Sequence, residues 1–106
     1  MHDFVGRWRI VSMETWAQDY VDLIEPGYFA FDDDGLGEFV FGAVRGWLDV
    51  RVSIREPRLE YSWQGVSEGD ELCGRGWFEF ETPLHGEGRL FIHCGDESGV
   101  IIGRKA

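Results

Sequence analysis

Few residues in this chain could do chemistry, and their spacing limits what they could do. His93-Cys94-Gly95-Asp96 brings three metal-ligand side chains into four residues. On a strand, consecutive side chains point to opposite faces, so His93 and Cys94 cannot close on one ion without distortion. No metal site is expected there, and Cys94 reads as a core-filling thiol beside an exposed His93. The run from Asp32 to Glu38 clusters the hard oxygens that calcium prefers. It lacks the alternating acidic spacing of an EF-hand loop and reads as a solvated hairpin tip. The sequence has no Gly-x-Ser-x-Gly elbow, no phosphate-binding glycine loop and no His-Glu-x-x-His, so no cofactor or metal is expected. The glycines are assigned to turns.

What remains is a set of polar groups whose meaning depends on the elements that carry them. Apolar and polar residues alternate with a period of two, and Gly, Asp or Pro interrupts the pattern at short intervals, the signature of a β-sandwich or barrel. Eight strands are expected, at about Gly6 to Glu14, Tyr28 to Phe31, Gly37 to Val44, Trp47 to Ile54, Leu59 to Gln64, Glu71 to Glu81, Arg89 to Cys94 and Gly99 to Lys105. Between the first two, Thr15 and Gln18 have the spacing of a capping box, and Trp16, Tyr20 and Leu23 follow at helical intervals. One short helix is therefore expected, ending near Pro26-Gly27. If each strand pairs with its neighbour, an up-and-down antiparallel meander results, and closing it into a barrel removes its two bare edges.

Alternation then sorts the side chains. Ser12, Glu14, Tyr61, Trp63 and Cys94 fall on the inward parity, among Phe, Leu, Ile and Val. In a pocket they would orient a ligand, and a partly desolvated Glu14 would have a raised pKa suited to acid or base work. The plainer alternative is that Glu14 reaches solvent at its strand end and Tyr61 satisfies its hydroxyl internally. Trp47, Trp77 and Phe91 fall outward, with Trp77 and Phe91 positioned to stack. Together with Val11, Met13, Val40 and Val44 they form a candidate homodimer face. Cys73 points outward and Cys94 inward, so a disulfide would need a bulge, and two reduced thiols are expected.

Composition bounds the partners. The chain has 106 residues and a formal charge of −10, from 10 Lys and Arg against 20 Asp and Glu. That length suits a single domain over 1–106, and the acidity disfavours nucleic acid and anionic membrane. No apolar run has the length of a membrane helix, and Met1 to Ile10 lacks a secretory stretch, so a cytoplasmic location is expected. In a meander, the links carrying Asp19, Asp22, Glu25, Glu68, Asp70, Glu71, Asp96 and Glu97 gather at one end. That end should be electronegative and suit a neutral or cationic apolar ligand, or a basic protein partner.

The ends of the chain add a resemblance. Gly6-Arg7-Trp8 on the first strand, a short helix before the second, and Arg104 on the last resemble the calycin superfamily of lipocalin-like barrels, including small bacterial proteins with such barrels. The resemblance implies that Trp8 closes the base of the barrel and that Arg104 lies across its ring. The leading expectation is a non-enzymatic barrel that binds a small apolar ligand at the acidic mouth. The alternative is that the inward aromatics fill the interior, which would make the barrel a protein-interaction module or homodimer. A third reading, an isomerase or cyclase using Glu14 and Tyr61, lacks an activated nucleophile.

Overall fold

The alternation is realised in eight strands and one helical turn. They are β1 (Gly6–Met13), α1 (Gln18–Val21), β2 (Tyr28–Phe31), β3 (Leu36–Phe41), β4 (Val44–Val52), β5 (Arg58–Ser67), β6 (Asp70–Thr82), β7 (His85–Ile92) and β8 (Glu97–Gly103). This computed structural model describes residues 4–53 and 55–105. Ile54, expected at the end of the fourth strand, lies outside the described residues. All strand pairs are antiparallel, and β1 closes onto β8 through Arg9↔Gly103 to Met13↔Val100. The result is a closed eight-stranded up-and-down barrel, as the pattern predicts.

Three local departures matter for the site. The β1–β8 register shifts between Ile10 and Ser12. Such a bulge flips the parity beyond it, so Met13 is buried rather than outward, Ser12 is half-buried, and Glu14 is exposed. The β3–β4 hairpin turns at Gly42, at φ 56°, not at Arg45-Gly46, and this turns Val44 into the core, while Val40 keeps the outward parity of β3 but is covered and buried. Cys94 lies beyond β7, in a turn at φ 58°, with its side chain exposed.

The expected capping box is also absent. The N-cap of α1 is Ala17, with no side-chain cap. The Thr15 hydroxyl instead donates to the Glu97 carbonyl at 2.6 Å, and Gln18 Nε2 donates to the Ile10 carbonyl at 3.1 Å. Both residues are used to tie the β1–α1 link to the barrel.

Inside, aromatic rings form a continuous column. Centroids step from Trp16 to Phe41 at 4.8 Å, Phe39 at 5.9 Å, Phe29 at 5.0 Å, Phe78 at 4.9 Å, Phe80 at 6.3 Å and Trp8 at 5.0 Å. An eight-stranded barrel is only just wide enough for its side chains, so rings need small neighbours. The registry supplies them: Phe31 faces Gly37, Phe39 faces Gly46, Tyr61 faces Gly76, Trp63 faces Gly74, Phe78 faces Gly88 and Phe80 faces Gly86. The assignment of glycines to turns therefore holds for Gly35, Gly42, Gly69 and Gly95, whereas these strand glycines make room for rings.

A Cβ built on Gly46 would stand 2.3 Å from the Phe39 ring, with no backbone atom among its three nearest neighbours. Gly46→Ala is expected to cost about 1–3 kcal/mol of stability, in the range of overpacked cores. It should cost clearly less in a Phe39→Leu background, because the two changes share one volume. Urea unfolding of the four variants tests this; additive losses would show that the pairing is not under steric pressure.

Candidate functional site

Both ends of the column are closed by side chains. At one end, Arg104 lies over Trp8, its Cζ 4.2 Å from the ring centroid. Its Nη1 donates to the Val5 carbonyl at 2.8 Å and its Nε to the Pro83 carbonyl at 2.9 Å. Gly6 adopts φ 123°, a region L side chains rarely occupy, and a Cβ there would sit 3.3 Å from Arg104 Nη1. Trp8 Nε1 donates to the Phe4 carbonyl at 2.7 Å. Gly6, Trp8 and Arg104 thus form the closure expected of them.

At the other end, where a mouth is expected, α1 acts as a stopper. Trp16 packs on Phe41, and the Tyr20 ring lies 6.5 Å from Phe41, centroid to centroid. The Gly42 N–H donates to the Val21 carbonyl at 2.9 Å, which docks the helical turn on the β3–β4 hairpin. The acids at this end are partly neutralised. Asp22 pairs with Arg9 at 2.7 Å, Glu25 with Arg45 at 3.7 Å and Glu97 with Arg89 at 3.1 Å.

The structure disperses the expected ligand-binding set. Tyr61 and Trp63 are buried, but their polar groups are already used: the Tyr61 hydroxyl donates to the Arg89 carbonyl at 3.1 Å, and Trp63 Nε1 donates to the Phe91 carbonyl at 3.2 Å. Burial pushes the Tyr61 phenol pKa far up, so it stays neutral. Cys94 is exposed, and Cys73 is likewise a free, exposed thiol. Ser12 and Glu14 are moved off the inward face by the β1 bulge.

Glu14 differs most from its expectation. The Gly99 N–H, first, and then the Arg89 guanidinium hold its carboxyl below the usual carboxylate range, rather than raising it. Arg89 Nη2 reaches Glu14 at 3.0 Å and Glu97 at 3.1 Å, a clamp joining β7, β8 and the end of β1. Asp22 is lowered too, chiefly by the Gly27 N–H at 2.8 Å. A group depressed on folding stabilises the fold above its unfolded pKa, and the contribution drains away as pH falls through the folded value. Acidification below about pH 4, the range of a free carboxylate, should therefore weaken the wild type more steeply than a Glu14→Gln, Asp22→Asn variant. Urea midpoints across an acid pH series measure the difference; parallel profiles would contradict it.

The concavities described lie outside the ring column. One, of about 410 Å³, opens beside the Trp8 end, floored by Phe4, Trp8 and Phe80 and rimmed by Glu56, Arg58 and Glu81. Two others, of about 400 and 620 Å³, lie on the outer face of β4–β7, on either side of Ser62 and Arg75. There Trp47 is 49% exposed and Phe91 36%. Trp77 is half-buried beneath Arg58, whose Cζ is 4.3 Å from its ring. Trp77 faces Arg89 and Phe91 faces Arg75 across the ladder, so the two aromatics are diagonal neighbours instead of a stacked pair.

Sequence reasoning missed two features of this surface. Arg75 is exposed and has no ion-pair partner among the described residues. Its position between outward aromatics follows from the β5–β6–β7 register, which single-strand alternation does not give. Glu81, His85 and Glu87 also bring donor atoms within 4.8 Å of one another on the β6–β7 hairpin, a set able to ligate a divalent cation. A register shift between Phe80 and Thr82 leaves Glu81 unpaired in the ladder there, which spacing alone does not reveal.

No helix is long and apolar enough to cross a membrane among the described residues. Compared with family models, curated proteins and solved structures, the chain matches none.

Proposed function

We propose that this protein is a non-enzymatic recognition barrel of calycin-like architecture that works through its outer surface, with the face of β4–β7 as its docking site. The observation that carries this reading is the exposed aromatic pair Trp47 and Phe91 set about an unpaired Arg75. Exposed aromatics with a central arginine are the composition of an interface core. The filled interior supports the same reading. A ligand would have to displace rings whose centroids are already 4.8–6.3 Å apart, and would find the polar atoms of Tyr61 and Trp63 engaged. Catalysis has no support from Glu14, because a carboxylate held ionised by the Gly99 N–H and then by Arg89 is a poor proton donor or acceptor near neutrality.

A second reading keeps a small apolar ligand but moves it from the acidic end to the cleft floored by Phe4, Trp8 and Phe80. Its volume of about 410 Å³ falls within the usual range for small-molecule sites.

A photo-crosslinking residue placed at Trp47 and, separately, at Leu84 on the β6–β7 turn separates the two in cells. The proposal expects discrete crosslinked protein products from position 47 and none from 84. No product from position 47, combined with saturable binding of a solvatochromic dye that is blocked by Thr82→Trp in the cleft, would replace the first reading with the second.

A further inference from the structure

The outer face of β4–β7 carries charges that constrain its occupant. Arg51 is held by Asp49 at 2.5 Å, and Arg58 by Glu79 at 2.6 Å. Of the charges left over on the face, Arg75 has no ion-pair partner among the described residues, nor do the acids Glu60 and Glu71. Glu60, which faces Arg51 across the β4–β5 ladder, is the nearer of these two acids to Arg75. Arg75 and Glu60 are both exposed. In the β5–β6 ladder Ser62 faces Arg75 and Glu60 faces Trp77. Glu60 and Arg75 therefore project from the same face as diagonal neighbours, about 7–8 Å apart at the backbone.

One unpaired cation beside one unpaired anion is the arrangement a twofold axis can satisfy. In an isologous contact, residue i meets residue j of the other copy and j meets i. With the axis lying in the interface, parallel to the sheet, and bisecting at right angles the line between the two residues, Arg75 of each copy faces Glu60 of the other. Two ion pairs form and no like charges are opposed. The concavities flanking Arg75, about 400 and 620 Å³, give the exposed Trp47 and Phe91 of the opposite copy somewhere to seat. Resting on the reading of β4–β7 as the docking face, we infer that its occupant is a second copy of this chain, joined about a twofold axis by reciprocal Arg75–Glu60 pairs.

Each copy carries −10, so association should be weak and reversible. Sedimentation velocity on the full chain over a wide concentration series tests it. The wild type should show a monomer–dimer equilibrium. Arg75→Glu and Glu60→Arg should each weaken the dimer at least about tenfold, as expected when like charges oppose across an interface. The double swap Arg75→Glu, Glu60→Arg should restore it. Mixing the two single variants should yield a mixed dimer that neither forms alone, since each then meets its opposite charge twice. Unchanged thermal unfolding of the single variants would show that the substitutions leave the fold intact.

A wild type that stays monomeric at every concentration, or a double variant that fails to recover, would overturn the second-copy proposal. In that case crosslinks from position 47 to another protein would leave the docking face itself standing. A dimer indifferent to Arg75, Glu60 and Trp47→Ala would overturn both.

Discussion

The rest of the structure depends on fitting a column of aromatic rings into a barrel only eight strands around. Most inward rings have a glycine as one cross-strand neighbour, as in Phe31–Gly37, Phe39–Gly46, Tyr61–Gly76, Phe78–Gly88 and Phe80–Gly86, whereas Phe29 faces Trp8 and Phe39 directly. The pairing serves two ends. Burial of each ring contributes roughly 1.5–3 kcal/mol relative to exposure, and the pairing fixes strand register, since a one-residue slip would take the glycines from opposite the rings and turn the apolar face to water. The strand glycines, which lower local β propensity, are offset by this packing.

Closure of the ends follows from the same column. Trp8 is the last ring at one end, and its outer surface would be wet but for Arg104, held by the carbonyls of Val5 and Pro83. At the other end Phe41 is covered by Trp16 and Tyr20. A helical turn of four residues has little stability of its own, so α1 is held by its docking on Phe41 and Gly42 and by the Gln18 and Asp22 contacts around it. What would be an entrance in a hollow barrel is therefore part of the core.

Much of this architecture is legible in the residues. Strict alternation in β4 and β5 gives the strands and their inward faces, including Leu48, Val50, Tyr61 and Trp63, and Gly6, Trp8 and Arg104 reveal the closed base. The misread positions share a physical cause. One register shift in β1 reverses the facing of Met13 and removes Glu14 from the interior, and no residue type marks it. The left-handed backbone at Cys94 ends β7 early and exposes a side chain that strand parity points inward. The role of the strand glycines is a pairwise property of register. So is the isolation of Arg75 and Glu60, which emerges only once Arg51 and Arg58 have found Asp49 and Glu79.

A barrel whose interior is occupied leaves its surface as the place where specificity can reside, and there exposed rings and leftover charges coincide on β4–β7. The claim on which this rests is that no room exists among the rings. Xenon enters apolar cavities too small for most ligands, so aromatic NMR spectra recorded under increasing xenon pressure test it most directly. The Phe29, Phe39 and Phe78 signals should show only small, linear, non-saturating shifts. Saturable shifts of those rings would reveal an internal cavity and contradict the account.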